Sequence, residues 1–193
     1  MGVEQISLAT SEDLTRIDKL FKDCKEALRK KEIYQWDDHY PNKEYFAYSI
    51  NEKELFILHN DDEILGAMVL NEWQIAEWEE VNWTDKDGKY LILHSFCTHP
   101  SVQGKGYGGT IVKFMEKMAK DQGFTGIRLD AFSGNKEALH FYEKRGYRKT
   151  GEVFFSSKPA GHETYFCYEK LFNGERFPKR TKTKSVRNRI KTV

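Results

Sequence analysis

The sequence predicts a mixed α/β domain with one central sheet. The first observation is the order of its periodic segments: a strand, a helix, a second and less regular helical segment, three strands, a helix, a strand, a helix and two closing strands. The second is size, since 193 residues suit one domain that can bury a sizeable core. The third is composition, because 39% hydrophobic and 32% charged residues are typical of a globular protein with a polar surface.

The N-terminal part is predicted to hold a strand, an amphipathic helix and an aromatic segment. After the extended stretch QISLAT, Thr10 suits the N-cap of a helix whose first turn is acidic. Apolar residues then recur every three or four positions as far as about Lys31. The next segment, EIYQWDDHYPNKEYF, is interrupted by Pro41 and is too irregular for a long helix.

The middle of the chain is predicted to form a hairpin and a further strand. LFILHNDDEILGAMVLNEW indicates two strands around a turn at Asn60, Asp61 and Asp62. EWEEVNWTDKDGK is an acidic loop, and YLILHSFCTHP is a strand that Pro100 ends.

The last elements follow a glycine-rich stretch. A helix with apolar residues on one face comes first, and GIRLDAF is the next strand. In GNKEALHFYEKRGY, Asn135 suits the N-cap of a short helix and Gly146 its C-terminal stop. RKTGEVFFS and ETYFCYEKLF are predicted to be the closing strands.

The charge distribution separates a globular body, residues 1–172, from a basic C-terminal tail, residues 173–193. Residues 179–193 carry seven Lys and Arg and no acid, which leaves 24 basic and 30 acidic residues in the rest of the chain. A solvated terminus is favoured over a nucleic-acid-binding arm as the interpretation of this tail.

Composition also bears on compartment. No stretch approaches the ~20 apolar residues of a membrane span, and the N-terminus lacks the pattern of a secretory signal. The three cysteines are scattered, without the spacing of metal ligands, and lie in apolar surroundings. Reduced, buried thiols in a cytoplasmic protein are therefore expected, with no metal site and no membrane partner.

The glycine-rich stretch QGKGYGG lies between a predicted strand and a predicted helix. Glycines let a ligand approach the main chain closely, and a helix N-terminus offers unpaired N–H groups and a positive dipole end. The arrangement therefore suits a phosphate group, with Lys105 adding charge at the rim. Two other glycine-rich motifs fit less well. The stretch lacks the lysine that a P-loop has before its Ser or Thr. Its glycines match the G-x-G-x-x-G spacing of a dinucleotide-binding fold, but they follow a predicted hairpin instead of opening a βαβ unit.

Two motifs together resemble those of the GNAT acetyltransferase superfamily. QGKGYG is similar to its Gln/Arg-x-x-Gly-x-Gly/Ala signature, and NKEALHFYEKRGY is similar to its Asn-x-x-Ala-x-x-x-Tyr-x-x-x-Gly-Phe segment. A closing Tyr-Glu-Lys strand is also typical, and QWDDHYP resembles a common bacterial subgroup. The resemblance covers roughly residues 3 to 172. It implies the GNAT fold, a mostly antiparallel mixed sheet of about six to seven strands, splayed at its middle and flanked by about four helices.

The resemblance implies acetyl-CoA as co-substrate and assigns residues to it. Main-chain groups of Phe96 and Thr98 would hold the pantetheine arm, with the Phe96 amide donating to the thioester oxygen. Asn135 would bind the same arm. The pyrophosphate would be bound by the amides of the loop, namely Gln103, Gly104, Lys105, Gly106, Tyr107, Gly108 and Gly109.

Tyr142 would donate a proton to the departing thiolate, although a tyrosine on the apolar side of a short helix is also a common core residue. His94, two residues before Phe96 and so expected on the same face of the strand, is the candidate general base. Glu72 could instead bind or activate a cationic amine, and water could replace both. Cys97 is expected on the face opposite Phe96 and is interpreted as a buried cysteine.

Acceptor specificity is expected in the segment after the first helix and in the loop between the last two strands. Tyr34, Trp36 and Tyr40 offer aromatic surface that could bind a primary ammonium, although core packing explains such residues equally well.

The sequence thus predicts a cytoplasmic N-acetyltransferase that acts on a small-molecule amine by direct transfer in a ternary complex. The alternatives are a protein or peptide N-acetyltransferase that docks through the basic tail, and a non-catalytic acyl-CoA sensor. A nucleic-acid partner is not favoured. The oligomeric state, with a homodimer as one option, stays open.

Overall fold

The structure, a computed structural model, describes residues 4–172. A seven-stranded sheet with strand order β1-β2-β3-β4-β5-β7-β6 is antiparallel at every pair except β4–β5, which is parallel. Its strands are β1 (Gln5–Leu8), β2 (Leu55–His59), β3 (Ile64–Asn71), β4 (Tyr90–Thr98), β5 (Gly126–Phe132), β6 (Arg148–Phe154) and β7 (Thr164–Leu171). The α-helices are α1 (Leu14–Arg29), α2 (Lys43–Asn51), α3 (Tyr107–Asp121) and α4 (Lys136–Glu143). The predicted fold is confirmed, and the tail at 173–193 lies outside the described residues.

Local capping explains where the helices before the hairpin begin. Thr10 donates its backbone N–H and its hydroxyl to the Asp13 carboxylate at 2.9 and 3.0 Å, and one 3₁₀ turn then leads into α1. The side chain of Asn42 accepts the amide of Tyr45 at 2.9 Å and starts α2. The segment that the sequence predicts to be irregular is therefore non-helical only as far as Asn42. Its last four residues, 43–46, form the first turn of α2.

The two faces of the sheet carry different cores. Helices α3 and α4 cover one face, where Met115 and Tyr168 are fully buried. Helices α1 and α2 cover β2 and β3 on the other face. The predicted acidic loop covers the rest of that second face, because Trp78 and Trp83 are buried against β4, β5 and β7. Part of this loop is therefore buried in the core, although its acidic composition indicates an exposed loop.

The parallel strands β4 and β5 separate after their first three residues. Tyr90–Ile92 pairs with Gly126–Arg128, and neither strand pairs with the other beyond that point. On the opposite side of β4 the register with β3 also breaks, because Val69 pairs with His94 while Ala67 pairs with Cys97. Ser95, inside this bulge, has φ of +45°. The sheet is therefore splayed at its centre, as expected from the resemblance.

Among the described residues, no helix has both the length and the apolar character needed to cross a membrane.

Candidate active site

A cavity of about 450 Å³ occupies the gap between the diverging strands. It is lined by the end of β4, the end of β5, the first turns of α3 and α4, and the segment between α1 and α2. Of the predicted site residues, those that line it are Trp36, Tyr40, His94, Phe96, Thr98, Gln103, Gly108, Asn135 and Tyr142. The separation of the two strands thus brings residues from distant parts of the sequence into one site.

The glycine loop lies at one end of the cavity. Gly104 and Gly106 have φ of +78° and +95°, conformations that favour glycine, and a Cβ on either would meet no atom within 4 Å. Five backbone amides of this loop donate no hydrogen bond to a protein atom within residues 4–172. They belong to Gly104, Gly106, Tyr107, Gly108 and Gly109. Unpaired N–H groups at a helix N-terminus suit the oxygens of a phosphate or diphosphate.

Side chains around the loop fix its position against α4 and the strands. A Cβ on Gly108 would lie 3.1 Å from the Phe141 ring, so this glycine permits close packing of α3 on α4. The Gln103 side chain donates to the Thr98 carbonyl at 3.3 Å, and the Tyr107 hydroxyl donates to Glu4 at 2.8 Å. Lys105 is exposed and is not among the residues that line the cavity.

The bulge in β4 changes which residues share a face. Phe96 packs on the α3 and α4 side, with its ring centroid 5.9 Å from that of Phe141. His94 pairs with Val69, whose side chain belongs to the opposite core. The prediction that His94 and Phe96 share a face is therefore wrong, because the bulge at Ser95 breaks the simple alternation. Cys97 does lie on the face opposite Phe96, where it is buried, and burial raises the pKa of its thiol.

The same bulge leaves main-chain groups available. Ser95 and Phe96 have no partner in the register with β3, and β5 has already diverged at this point. Phe96 lines the cavity where the regular pairing of β4 is interrupted, so its amide is the candidate donor to a developing oxyanion.

His94 is held in a largely buried position beside an exposed tryptophan. Its Nε2 lies 3.0 Å from Oδ1 of Asn71, and its ring centroid is 5.8 Å from that of Trp73. Burial lowers the pKa of His94 to about 4, so the imidazole is neutral at pH 7 and is a weak base.

Tyr142 and Asn135 both belong to α4. Tyr142 is buried, its hydroxyl makes no hydrogen bond to a protein atom in residues 4–172, and burial together with the Asp130 carboxylate raises its pKa. The hydroxyl therefore keeps its proton throughout the neutral range. Asn135 caps the helix by accepting the amide of Ala138 at 3.1 Å, and its Nδ2 donates to Gln35 at 2.9 Å.

Asp130 is the site residue that the sequence analysis missed. It projects from β5 into the cavity, and its nearest hydrogen-bond partner is Nε1 of Trp78 at 3.2 Å. Burial raises the pKa of Asp130 to about 6, while the Trp78 hydrogen bond and the charge of Lys158 oppose the shift and Glu77 adds to it. The sequence signal was an acid inside GIRLDAF, a predicted strand in which Arg128 is the other charged residue.

The predicted acceptor residues divide into two groups. Trp36 and Tyr40 line the cavity, and the Tyr40 hydroxyl lies 2.8 Å from Oγ of Ser95. Tyr34 is outside the lining, with its ring against His162. Glu72 is also outside it and forms an exposed ion pair with Lys89 at 2.8 Å, so the placement of Glu72 beside the reacting amine is wrong.

Gln35 joins three walls of the cavity. Its backbone carbonyl accepts from Nζ of Lys158 at 3.1 Å and from the Tyr165 hydroxyl at 3.0 Å. Its side chain accepts from Asn135. The segment after α1 is thereby bound to the β6–β7 loop, to Tyr165 of β7 and to the start of α4.

The two ends of the cavity therefore differ in chemistry. One end has free loop amides for anionic oxygens, and the middle has the interrupted part of β4 at Phe96 and the protonated phenol of Tyr142. The other end has a carboxylate whose pKa lies close to neutrality, enclosed by aromatic side chains. Such an arrangement suits acyl transfer, which needs an oxyanion donor, a base and an acid. Among the described residues, no cluster of His, Cys, Asp and Glu is arranged to hold a metal ion.

Comparison with known proteins agrees with this geometry. A family model described as the acetyltransferase (GNAT) family matches residues 14–147. An uncharacterized N-acetyltransferase, YjcF of Bacillus subtilis, is 30% identical over 133 residues, which are 69% of this chain and 83% of that protein.

Solved structures show the same fold. A GNAT-family acetyltransferase of Streptococcus agalactiae has a TM-score of 0.75 at 20% identity, with 87% of this chain and 95% of that chain covered. The PaiA N-acetyltransferase of Thermoplasma acidophilum, solved in complex with coenzyme A, has a TM-score of 0.64 at 18% identity, with 88% and 99% covered.

Proposed function

The chain belongs to the GNAT family of acetyltransferases, and we propose that it transfers the acetyl group of acetyl-CoA to a primary amine of a small molecule in a ternary complex. The observation that carries this proposal is the cavity between β4 and β5, which has unpaired loop amides at one end and Asp130 at the other. GNAT proteins use acetyl-CoA, and we place this reaction in the cytoplasm.

The glycine loop fits the diphosphate of acetyl-CoA. Five free amides and the open space beside Gly104 and Gly106 suit a group with several anionic oxygens. Lys105 adds a positive charge, and Gln103 holds the end of β4. Main-chain groups of Phe96 and Thr98, together with Asn135, would bind the pantetheine arm.

Three groups of this chain would carry the transfer. Acetyl-CoA supplies an acetyl group on a thioester sulfur. The Phe96 amide would donate to the carbonyl oxygen as negative charge develops there. Asp130 would take the proton of the acceptor ammonium, directly or through water, so that its nitrogen can bond to the acetyl carbon. As the carbon–sulfur bond breaks, Tyr142 would donate its proton to the sulfur. The second proton of the nitrogen, lost as the amide forms, would return the Tyr142 phenolate to a phenol, directly or through water.

We assign the base to Asp130 in preference to His94. A carboxylate with a pKa of about 6 is a better proton acceptor than an imidazole with a pKa of about 4. Nε2 of His94 is also already engaged by Oδ1 of Asn71. Its contacts with Asn71 and Trp73 support a role in holding the wall of the acceptor end.

Release of free thiol from acetyl-CoA tests the proposal. The protein would be incubated with polyamines, amino acids, aminoglycosides and short peptides, and the acetylated product identified by mass spectrometry. Turnover with a small amine is expected. Turnover with peptides alone would favour a protein N-acetyltransferase, and binding of acetyl-CoA without turnover on any amine would favour a sensor.

A further inference from the structure

The charges of the acceptor end carry an inference that rests on the proposed function. Lys158, in the loop between β6 and β7, lines the same cavity as Asp130, and its charge acts on the Asp130 carboxylate. From the geometry we infer that the acceptor is a primary amine that also bears a carboxylate, such as a free amino acid, with its carboxylate bound by Lys158 and its amino group beside Asp130.

The first step is that Lys158 and Asp130 are not paired with other ions. Within residues 4–172, Lys158 has no carboxylate within ion-pair distance and donates one hydrogen bond, to the Gln35 carbonyl at 3.1 Å. An ammonium group has three N–H donors, so two remain. Asp130 accepts from Trp78 and has no basic partner within ion-pair distance.

The second step is that the other charges at the cavity mouth compensate each other. Lys31 forms an ion pair with Glu137 at 2.8 Å. Lys158 and Asp130 are therefore the lining charges that a ligand would have to match. An ammonium close to Asp130 and an anion close to Lys158 would satisfy both, and a zwitterion carries both on one small molecule.

The third step concerns the kind of anion. The surroundings of Lys158 are aromatic, with Nζ 5.6 Å from the centre of the Tyr40 ring, and the Tyr165 hydroxyl is already bound to Gln35. A single ammonium in such surroundings can neutralise one negative charge. A monoanionic carboxylate fits this better than a phosphate dianion, whose second charge would stay uncompensated.

Matched acceptors test the inference. Each amino acid would be compared with its own α-amide, which keeps the amine and the side chain and lacks the carboxylate. Thiol release should be faster with the acid, and Lys158→Met should raise the KM for the acid by about 10- to 100-fold while leaving the KM for the amide nearly unchanged. Lys158→Arg should recover most of the affinity, because it restores the positive charge.

Lys113→Met is the matched control, since Lys113 is an exposed lysine without an acidic partner in the described chain. If Lys158 acted only on Asp130, Lys158→Met would shift the pH profile and would slow acid and amide equally, and the inference would be wrong. A wild-type protein that prefers the amide would also overturn it, but would leave amine acetylation intact. If no amine of any kind releases thiol, it is the proposed function that fails.

Discussion

Replacing Asp130 by Asn should remove activity and at the same time stabilise the folded protein at neutral pH. The folded-state pKa of Asp130 is raised from 3.8 to about 6, chiefly by burial. At one unit per 1.36 kcal/mol, the ionised carboxylate destabilises the fold by up to ~3 kcal/mol. The Asn amide has nearly the same shape, and its oxygen can still accept from Nε1 of Trp78.

The sign of the effect follows from the direction of the shift. Below pH 3.8 the carboxyl is protonated in both the folded and the unfolded chain, so its ionisation affects neither. Between pH 3.8 and 6 the unfolded chain loses the proton first, and the free energy of unfolding falls as pH rises. Above pH 6 the penalty is complete, and only there should Asp130→Asn show its full stabilisation.

Urea unfolding at pH 4 and pH 8 measures this difference. We expect Asp130→Asn to raise the free energy of unfolding by about 1–3 kcal/mol at pH 8 and to change it little at pH 4. Asp61→Asn, at an exposed acid in the hairpin turn, is the matched control and should show no such pH dependence. If Asp130→Asn changed the free energy of unfolding equally at the two pH values, the claim that burial raises the pKa of Asp130 would be refuted.

Activity gives an independent check on the same variant. The wild-type kcat/KM should fall below pH 6 as Asp130 is protonated, and Asp130→Asn should lower it by about 10²- to 10⁴-fold at pH 8. Retention of wild-type activity by this variant would show that Asp130 is not the base.

Three further predictions concern other parts of the site. Tyr142→Phe should lower kcat by about 10²-fold or more, which a stopped assay of thiol release would measure. Its free energy of unfolding in urea should change by no more than about 1 kcal/mol, because no protein hydrogen bond is lost. Gly106→Ala should raise the KM for acetyl-CoA and cost roughly 1–2 kcal/mol of stability, because φ is +95° there, and unchanged calorimetric binding of coenzyme A would contradict this. Deleting residues 179–193 should leave kcat/KM for a small amine unchanged at every salt concentration, whereas a salt-dependent loss would favour docking of a macromolecule through the tail.

Sequence reasoning succeeded where the interactions are local. Thr10, Asn135 and the positive-φ glycines Gly104 and Gly106 act within one turn of the chain, so residue type and spacing are enough to place them. The order of helices and strands along the chain followed from periodicity, and the mostly antiparallel, splayed sheet followed from the resemblance.

It failed where a residue's role depends on a distant segment. The bulge at Ser95 depends on how β4 meets β3, and it moved His94 to the face opposite Phe96. Asp130 becomes buried because a loop that precedes it by about fifty residues places Trp78 against it. Glu72 is engaged by Lys89 across the same loop. Periodicity within one segment carries no information on such contacts.

The most direct test of the account measures thiol release and acetylated product together, with wild-type protein and Asp130→Asn, on the amine that proves to be the best acceptor. We expect one mole of acetylated amine for each mole of thiol from the wild type, with a pH dependence that follows an ionisation near pH 6, and a large loss in the variant. Thiol release without an acetylated amine would contradict direct transfer in the cavity between β4 and β5, and full turnover by Asp130→Asn would contradict the role of Asp130 as the base.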